Sequence, residues 1–315
     1  MSMRTILLIG ANGQVGHALQ TALAPLGKVV CVTRAQLDLS TLPVGESVPV
    51  ALKECVLSCQ PDVIVNAAAY TAVDRAESDI QQVELLNAFI PGWLATLAND
   101  AGACLVHYST DYVFDGTKSG AYVETDRTNP QSVYGKTKLQ GEQAIVKACP
   151  RHLIFRTSWV LSAHGGNFLK TMLKLGQERD ALRIVSDQVG APTTAELIAN
   201  VTAQVLGAVL KGANDSKDLH CAQEAQWGIY HLVAGGETNW YAYAQYVFER
   251  ARKLGWTLKI EPESVEPILT ADYPVAASRP LNSRLDTSKL QKTFHIDLPH
   301  WQAGVDDVLS ALKSN

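Results

Sequence analysis

Short apolar runs alternate with longer amphipathic segments through the first half of the chain. Thr5–Ile9 is a compact β-type run that ends at a glycine, whereas residues 14–26 repeat their apolar positions with a helical period. The same alternation predicts further strands at 29–33, 63–65, 104–107 and 152–156, and helices at 84–99 and 134–147. Because these strands are almost continuously apolar, they predict a parallel sheet that is covered by helices on both faces.

The alternation becomes less regular after residue 160. Helices are predicted at 168–178, 195–210, 240–254 and 305–312, and a strand at 229–233 is a candidate to return to the first sheet. The pattern therefore predicts an α/β protein with a Rossmann-type doubly wound parallel sheet in residues 1–160. A smaller mixed α/β lobe, interleaved with the first, would come mostly from residues 161–315 and would hold the substrate.

Composition narrows the class of protein. The chain has 315 residues, of which 47% are hydrophobic and 18% charged, with a net charge of −4. That balance excludes a disordered chain and argues against a nucleic-acid partner. No apolar run approaches the roughly 20 residues that span a bilayer, and the first residues lack a signal-peptide layout. We therefore expect a cytoplasmic protein without a membrane partner.

Cysteine spacing agrees with a reducing compartment. The chain contains no Cys-x2-Cys pair and no cysteine beside histidines at zinc spacing. The six cysteines are predicted to be free thiols: Cys31, Cys55, Cys59, Cys104, Cys149 and Cys221.

Three glycines follow the first predicted strand. Gly10, Gly13 and Gly16 have the spacing G-x2-G-x2-G and stand between a strand and an amphipathic helix. Glycines at such places allow a sharp turn, a close approach of pyrophosphate to the backbone, and close packing of helix on strand. The free N–H groups of the helix N-terminus favour an anion. The turn predicts a dinucleotide cofactor.

The end of the second predicted strand bears on which dinucleotide binds. Here an NAD-binding protein usually has an acidic residue for the ribose 2′-hydroxyl, whereas an arginine can meet a 2′-phosphate. This chain has Thr33 and Arg34, which favours NADPH and leaves NADH open. Asp38 either reaches the adenine edge or caps a turn.

Tyr134 and Lys138 form the sharpest chemical pattern. They lie four residues apart in a predicted helix and therefore share a face. At about 4 Å and an effective dielectric constant of about 20, an ammonium stabilises a phenolate by about 4 kcal/mol. That energy corresponds to about three pKa units, so we expect Lys138 to bring Tyr134 into the range of general acid–base chemistry.

Hydroxyl groups lie at the end of another predicted strand. Ser109, Thr110 and Asp111 follow residues 104–107, and the carboxyl ends of parallel strands face the ligand crevice. A hydroxyl here can hold a substrate carbonyl while Tyr134 delivers a proton. Taken alone, the three residues also suit a helix cap or turn.

Together these motifs resemble the extended short-chain dehydrogenases/reductases, and more narrowly the dTDP-4-dehydrorhamnose reductase family. The resemblance spans the whole chain. It rests on GANGQVG (10–16), PDVIVNAAAYTAVDRAE (61–77), HYSTDYVFDG (107–116), VYGKTKLQGE (133–142), HLIFRTSWV (152–160), DQVGAPT (187–193), GIYHLVAGG (228–236) and SRPLNSRLDT (278–287). The later phrases are the more particular to this family.

The resemblance implies that NADPH or NADH reduces the C4 ketone of a dTDP-4-dehydro-6-deoxy sugar to dTDP-L-rhamnose. It implies the following contacts: Gly13, Gln14 and Val15 with the pyrophosphate; Asp38 and Leu39 with the adenine; Ala69, Tyr70, Thr71 and Tyr108 along the cofactor; Tyr134 as proton donor with Lys138 as its partner on the ribose; Thr110, Asp111 and Trp159 with the sugar. Arg279 and Asn282 either face the nucleotide phosphates or pack a loop.

The sequence leaves metal binding and the oligomeric state open. Family members can hold Mg²⁺ at a dimer interface through one acid on the first helix and another near Glu196. The first-helix position is Ala18 here, and one carboxylate makes a weak magnesium site. Monomer and homodimer both stay possible. Two other functions also stay open: a nucleotide-sugar 4-epimerase on the same scaffold and a non-catalytic regulatory or binding homologue.

Overall fold

The structure is a computed structural model that describes residues 3–45, 47–215 and 226–314. Within those residues, five of the six cysteines are free thiols. Cys221 lies outside the described residues.

Within the ranges that the structure describes, twelve strands form one six-stranded sheet and three two-stranded sheets. Their bounds are β1 Thr5–Ile9, β2 Lys28–Val32, β3 Val63–Asn66, β4 Cys104–Thr110, β5 His152–Thr157, β6 Val160–Leu161, β7 Leu182–Val185, β8 Val189–Gly190, β9 Thr193–Thr194, β10 Gly228–His231, β11 Thr238–Asn239 and β12 Val265–Ile268. The large sheet is parallel, in the order β10-β5-β4-β3-β1-β2. The predicted doubly wound α/β fold is confirmed.

Helices cover the sheet and build the rest of the molecule. Their bounds are α1 Gln14–Leu23, α2 Val50–Cys59, α3 Val73–Ala76, α4 Ile80–Glu84, α5 Ile90–Asp100, α6 Val133–Ala148, α7 Phe168–Glu178, α8 Ala195–Asp215, α9 Trp240–Lys253, α10 Ser288–Phe294 and α11 Trp301–Ser314. A π-helical segment, Leu85–Phe89, joins α4 to α5. Among the described residues, no helix combines the length and the apolar character that crossing a membrane requires.

Alternate residues of the sheet strands pack on two different helix layers. Leu8, Val106 and Phe155 face one core together with residues of α1 and α8. Leu7 and Leu105 face the opposite core together with residues of α2, α5 and α6. This arrangement explains why the strands are apolar at almost every position, since both faces of the sheet are buried.

A second body of structure has its own core. Helices α7, α9 and α11 meet around Leu173, Tyr243, Phe248 and Val305. The short pairs β7–β12, β8–β11 and β6–β9 belong to this part of the chain or connect it to the sheet. The chain does not stay in this body, because α8 packs against α1 and β10 pairs with β5 at the edge of the large sheet.

Several elements begin or end a few residues away from their predicted bounds, and the helix predicted at 84–99 is divided among α4, the π-helical segment and α5. Helix α1 ends at Leu23, because Pro25 lies in a 3-10 turn that follows it. Strand β4 continues to Thr110, so Ser109 and Thr110 are the last residues of the strand and do not follow it.

Candidate active site

The glycine turn connects β1 to α1 as predicted. Gly10 has φ +82°, and a side chain there would also collide with the backbone of Ala67 and Ala68. A Cβ at Gly16 would overlap the carbonyl oxygen of Gly10, so this glycine lets the helix approach the strand. Helix α1 begins at Gln14 without a side-chain cap and without an acid in its first turn. Its first N–H groups are therefore available to an anion.

A groove of about 320 Å³ opens beside this turn. Its lining comprises the turn itself, the segment after β2 and the segment after β3. Arg34, Asp38 and Leu39 are on its rim, whereas Thr33 is exposed and contacts Gln36. The groove thus brings together six of the residues that the sequence associates with a dinucleotide: Gly10, Gly13, Arg34, Asp38, Leu39 and Ala69.

Arg34 and Asp38 form an exposed ion pair. The Nε atom of Arg34 donates to Asp38 at 3.0 Å, and its Nη2 atom donates to Ser40 Oγ at 3.0 Å. Hydrogen bonds from Ser40, followed by those from Arg34, lower the pKa of Asp38 to about 2. Asp38 also caps a 3-10 turn, so both sequence interpretations of this residue stay compatible with its position.

The loop after β3 is held by a residue that sequence reasoning missed. Asn87 accepts from the backbone N–H of Tyr70 at 2.9 Å and donates to the Tyr70 carbonyl at 3.1 Å. The phenol of Tyr70 donates to Asp79 at 3.0 Å. Ala69, Tyr70 and Thr71 are thereby fixed at the carboxyl edge of the sheet. The sequence signal for this residue is that Asn87 is polar within the largely apolar helix predicted at 84–99.

Helix α6 begins next to the end of β4 and presents Tyr134. Ser132 caps the helix by accepting from the N–H of Gly135 at 3.1 Å. The ring of Tyr134 meets the ring of Tyr112 edge-on, with 5.5 Å between centroids. Burial raises the pKa of Tyr134, and the Thr110 hydroxyl opposes that rise. The phenol therefore stays protonated at neutral pH, which suits a proton donor.

Lys138 lies one turn further along α6 and is fully buried. Its Nζ atom donates to the carbonyl oxygen of Tyr108 at 2.5 Å and lies 3.3 Å from Nε2 of His107. Burial lowers the pKa of Lys138 to about 8, against the opposing charge of Glu142. The expected lowering of the Tyr134 pKa by Lys138 is not found, because burial dominates at both residues and the amine faces β4.

Tyr108 contributes more through its backbone than through its ring. The ring packs against Phe155 in the sheet core, and the phenol is 2.9 Å from the Thr202 hydroxyl on α8. The carbonyl oxygen of Tyr108 is the group that contacts Lys138. The side chain therefore anchors α8 to the sheet.

Thr110 and Asp111 lie together at the end of β4. The Thr110 hydroxyl donates to Asp111 Oδ1 at 2.9 Å and accepts from the N–H of Tyr112 at 3.2 Å. Asp111 is buried, and this burial raises its pKa to about 6 despite hydrogen bonds from Ser283 and Thr110. Three polar groups are thus assembled within reach of one another: the Thr110 hydroxyl, the Asp111 carboxyl and the Tyr134 phenol.

Trp159 follows β5 in an unusual backbone conformation. Its φ is +48°, which is the left-handed region that non-glycine residues rarely adopt. The indole stacks on that of Trp240 with 3.7 Å between ring centroids. Gly190 leaves room for this arrangement, since a Cβ there would lie 2.8 Å from the Trp159 ring.

Arg279 and Asn282 connect the C-terminal segment to the first part of the chain. Arg279 donates to Asp74 at 2.5 Å and to the Tyr112 hydroxyl at 3.0 Å. The amide of Asn282 donates to the carbonyl oxygens of residues 118 and 120, and its oxygen accepts from the N–H and Nε of residue 284. The Asn282 amide is thus fully engaged within the protein, so its position fits loop packing, whereas Arg279 borders the site through Tyr112.

Glu196 lies in the first turn of α8 and is exposed. Its carboxylate accepts from Ser162 Oγ at 3.0 Å, and an acid at this end of a helix is favoured by the helix dipole. Within the described ranges, no group of three or more His, Cys, Asp or Glu side chains could hold a metal ion. The carboxylate of Glu196 therefore has a favourable position at the start of α8, whose cap is the Thr194 hydroxyl.

A glycine turn after the first parallel strand, facing a Tyr-x3-Lys helix across the carboxyl edge of the sheet, defines a Rossmann-type protein of the short-chain dehydrogenase/reductase class. Residues 3–314 match the family model for the RmlD substrate binding domain. The chain is 48% identical to dTDP-4-dehydrorhamnose reductase of Salmonella typhimurium, covering 98% of this chain and 97% of that protein. The chain belongs to the dTDP-4-dehydrorhamnose reductase family.

Solved structures agree with the sequence comparison. A dTDP-4-dehydrorhamnose reductase from Clostridium acetobutylicum is 32% identical with a TM-score of 0.83, covering 98% of this chain and 99% of that one. The enzyme from Bacillus anthracis, solved in complex with NADP, is 29% identical with a TM-score of 0.82, covering 98% and 100%.

Proposed function

We propose that this chain catalyses the NAD(P)H-dependent reduction of the C4 ketone of dTDP-4-dehydro-6-deoxy-L-mannose to dTDP-L-rhamnose. The observation that carries the proposal is the position of Tyr134 at the start of α6, next to the Thr110 hydroxyl and the Asp111 carboxyl at the carboxyl end of β4. A proton donor and an oxyanion donor thus converge beside a dinucleotide groove in a chain of this family.

The groove has features that a dinucleotide requires. Gly10 allows the sharp turn, Gly16 lets α1 pack close to that turn, and the uncapped start of α1 offers N–H groups to phosphate. Gly13, Gln14 and Val15 would hold the pyrophosphate, and Arg34 with Asp38 and Leu39 the adenosine end. Ala69, Tyr70 and Thr71 would border the nicotinamide end. When bound, the reduced nicotinamide supplies the hydride that reaches C4.

Thr110, Tyr134 and Lys138 stabilise the developing negative charge and supply the proton. As negative charge develops on the ketone oxygen, the Thr110 hydroxyl turns from Asp111 to donate a hydrogen bond to it, and Tyr134 transfers its phenolic proton. The raised pKa of Tyr134 keeps that proton in place until the oxygen becomes basic. Lys138, on the same helix, provides the positive charge that compensates the phenolate when its amine is protonated.

The residues that would bind the substrate lie at the end of β4, after β5 and in the C-terminal segment. Asp111 and Trp159 would hold the sugar, and Arg279 would reach the nucleotide through the edge that it shares with Tyr112. In this division the large sheet binds the cofactor and residues 161–315 supply most of the sugar pocket. We place the enzyme in the cytoplasm, as a monomer or homodimer.

Replacing Tyr134 by phenylalanine tests this mechanism. We expect Tyr134→Phe to lose about 10²–10⁴-fold in kcat, because general acid catalysis is lost while the ring is retained. The assay follows NADPH absorbance with the 4-keto sugar nucleotide generated in situ. Tyr273→Phe is the matched control, since Tyr273 is exposed and outside the site. Full activity in Tyr134→Phe, or no NADPH oxidation by the unmodified protein, contradicts the proposal.

A further inference from the structure

Three buried polar side chains form a line beneath helix α6. Asn66 ends β3, His107 lies within β4, and Lys138 reaches down from α6; their exposed fractions are 1%, 0% and 1%. Asn66 Nδ2 is 3.2 Å from His107 Nδ1, and His107 Nε2 is 3.3 Å from Lys138 Nζ. Such contacts between buried polar groups are specific, because each atom must donate or accept correctly.

The amide of Asn66 determines which nitrogen of His107 carries the proton. Asn66 Oδ1 accepts from the N–H of Ala68 at 3.1 Å, so the opposite end of the amide, which can only donate, faces Nδ1 of His107. Burial, followed by the charge of Lys138, lowers the pKa of His107 well below its usual value, against the opposing backbone of Asn66. A neutral ring that accepts at Nδ1 has its hydrogen on Nε2.

The N–H at Nε2 of His107 then points toward the nitrogen of Lys138. An ammonium group has only donors and cannot accept this hydrogen, whereas a neutral amine has a lone pair that can. The amine still donates to the carbonyl oxygen of Tyr108. The contact thus favours the neutral form of Lys138, in the same direction as burial.

We propose that His107 is a positioning residue that holds Lys138 and lowers its proton affinity, through a ring tautomer fixed by Asn66. His107 would thereby set the pH above which Lys138 no longer carries the charge that compensates the Tyr134 phenolate. The role in turnover rests on the proposed reductase function, whereas the tautomer does not.

Other charged groups near Lys138 act differently. Glu142, one turn further along α6, favours the ammonium, but it is paired at 2.6 Å with Arg156 of β5. From the end of β4, Asp111 faces Tyr134 and raises its pKa. His107 is therefore the neighbour through which the proton affinity of Lys138 can be changed without altering an ion pair.

The tautomer is tested directly by ¹⁵N NMR of protein labelled at histidine. We expect His107 to be protonated at Nε2 in the cofactor-free protein. In Asn66→Asp, the carboxylate can accept from Ala68 and from His107 together, so the hydrogen should move to Nδ1. A ring protonated at Nδ1 in the unmodified protein overturns the proposal, whether or not the protein reduces the sugar.

The effect on Lys138 is tested by the pH dependence of kcat/KM. Its alkaline limb should move to higher pH by about one unit in His107→Gln, whose amide oxygen can accept from the ammonium. Asn66→Asp should move it in the same direction. His152→Gln is the matched control, because His152 is a buried histidine on β5 that contacts Cys149, and it should leave the limb in place.

The outcomes separate a positioning role from a structural one. Loss of activity with an unshifted alkaline limb in His107→Gln means that His107 only fills space, and it overturns the proposal. Circular dichroism identifies a variant that does not fold, in which case the NMR result on the unmodified protein decides. If no reductase activity is found at all, the proposed function fails while the tautomer measurement still stands.

Discussion

Asp111 is enclosed at the end of β4, and its ionisation opposes folding. Its ordinary pKa is 3.8, whereas burial raises the value in the folded protein to about 6. Between these pH values the folded state binds more protons than the unfolded state. Stability therefore decreases as the pH rises from about 4 to about 6 and stays lower above that range.

Replacing this carboxyl by its isosteric amide should remove the pH-dependent cost. Asp111→Asn is expected to be more stable than the unmodified protein at pH 8 by up to about 3 kcal/mol, because two pKa units correspond to that energy. The difference should nearly vanish at pH 4. Urea unfolding followed by circular dichroism at the two pH values measures both quantities.

Asp115 provides a control of opposite sign. Hydrogen bonds from Asn129 and Thr117 lower its pKa, so its ionised form stabilises the fold above the ordinary value of 3.8. Asp115→Asn should accordingly lose stability at neutral pH, with the loss shrinking as the pH falls. If Asp111→Asn showed the same trend as Asp115→Asn, burial would not be the dominant influence on Asp111.

At the scale of elements, the π-helical segment Leu85–Phe89 links the loop after β3 to helix α6. Within it, Asn87 holds both backbone groups of Tyr70. Its own carbonyl oxygen lies so close to Gly141 of α6 that a Cβ there would overlap it. π-Helical turns are rare and commonly occur at functional sites. Here the segment sets the distance between the loop after β3 and α6.

A methyl group at Gly141 should disturb this contact. Alanine normally stabilises a helix by about 1 kcal/mol relative to glycine. We expect Gly141→Ala instead to destabilise the protein by about 1–3 kcal/mol, because it overpacks against a backbone atom. Gly207→Ala on α8 is the matched control, since its Cβ would meet Leu26 at an ordinary 3.4 Å.

Thermal and urea unfolding of both glycine variants give the comparison. Gly207→Ala should be unchanged or more stable. Equal effects at the two positions would mean that the segment at Leu85–Phe89 adapts to the extra methyl group without cost.

At the scale of the whole molecule, the large sheet depends on chain that comes much later. Ile198, Val201 and Val205 of α8 fill the core beneath α1 and the sheet. β10 adds the edge strand beside β5. The sheet therefore acquires part of one covering layer and one of its edges only when residues beyond 194 are present.

A fragment of residues 1–160 is accordingly expected not to fold on its own. It would expose the part of the apolar face that α8 covers, and a sheet with one face partly uncovered loses much of its hydrophobic stabilisation. Circular dichroism and amide proton dispersion, compared with the full chain, measure this. A cooperative unfolding transition in the fragment would show that the first 160 residues are an independent domain.

Local patterns predicted the strands of the large sheet, the glycine turn, α6 and its Tyr134–Lys138 spacing, because each depends on periodicity or on a short motif. The environment of Lys138 depends on Asn66 and His107, which lie far away in the chain and meet it only through the sheet register. The direction of the Tyr134 pKa depends on burial, which spacing does not contain. The two-residue strands of the second body have no period to detect.

The left-handed backbone of Trp159 has a consequence for affinity. A strained φ of this kind costs of the order of 1–3 kcal/mol, and the cost falls on folding. The indole then stacks on Trp240 in one orientation, for which Gly190 leaves room. A molecule that packs on this ring meets a preorganised surface and is spared the ordering penalty of about 0.5–1.5 kcal/mol that a free side chain would impose. The orientation of the Trp159 ring is therefore fixed on folding, before a ligand binds.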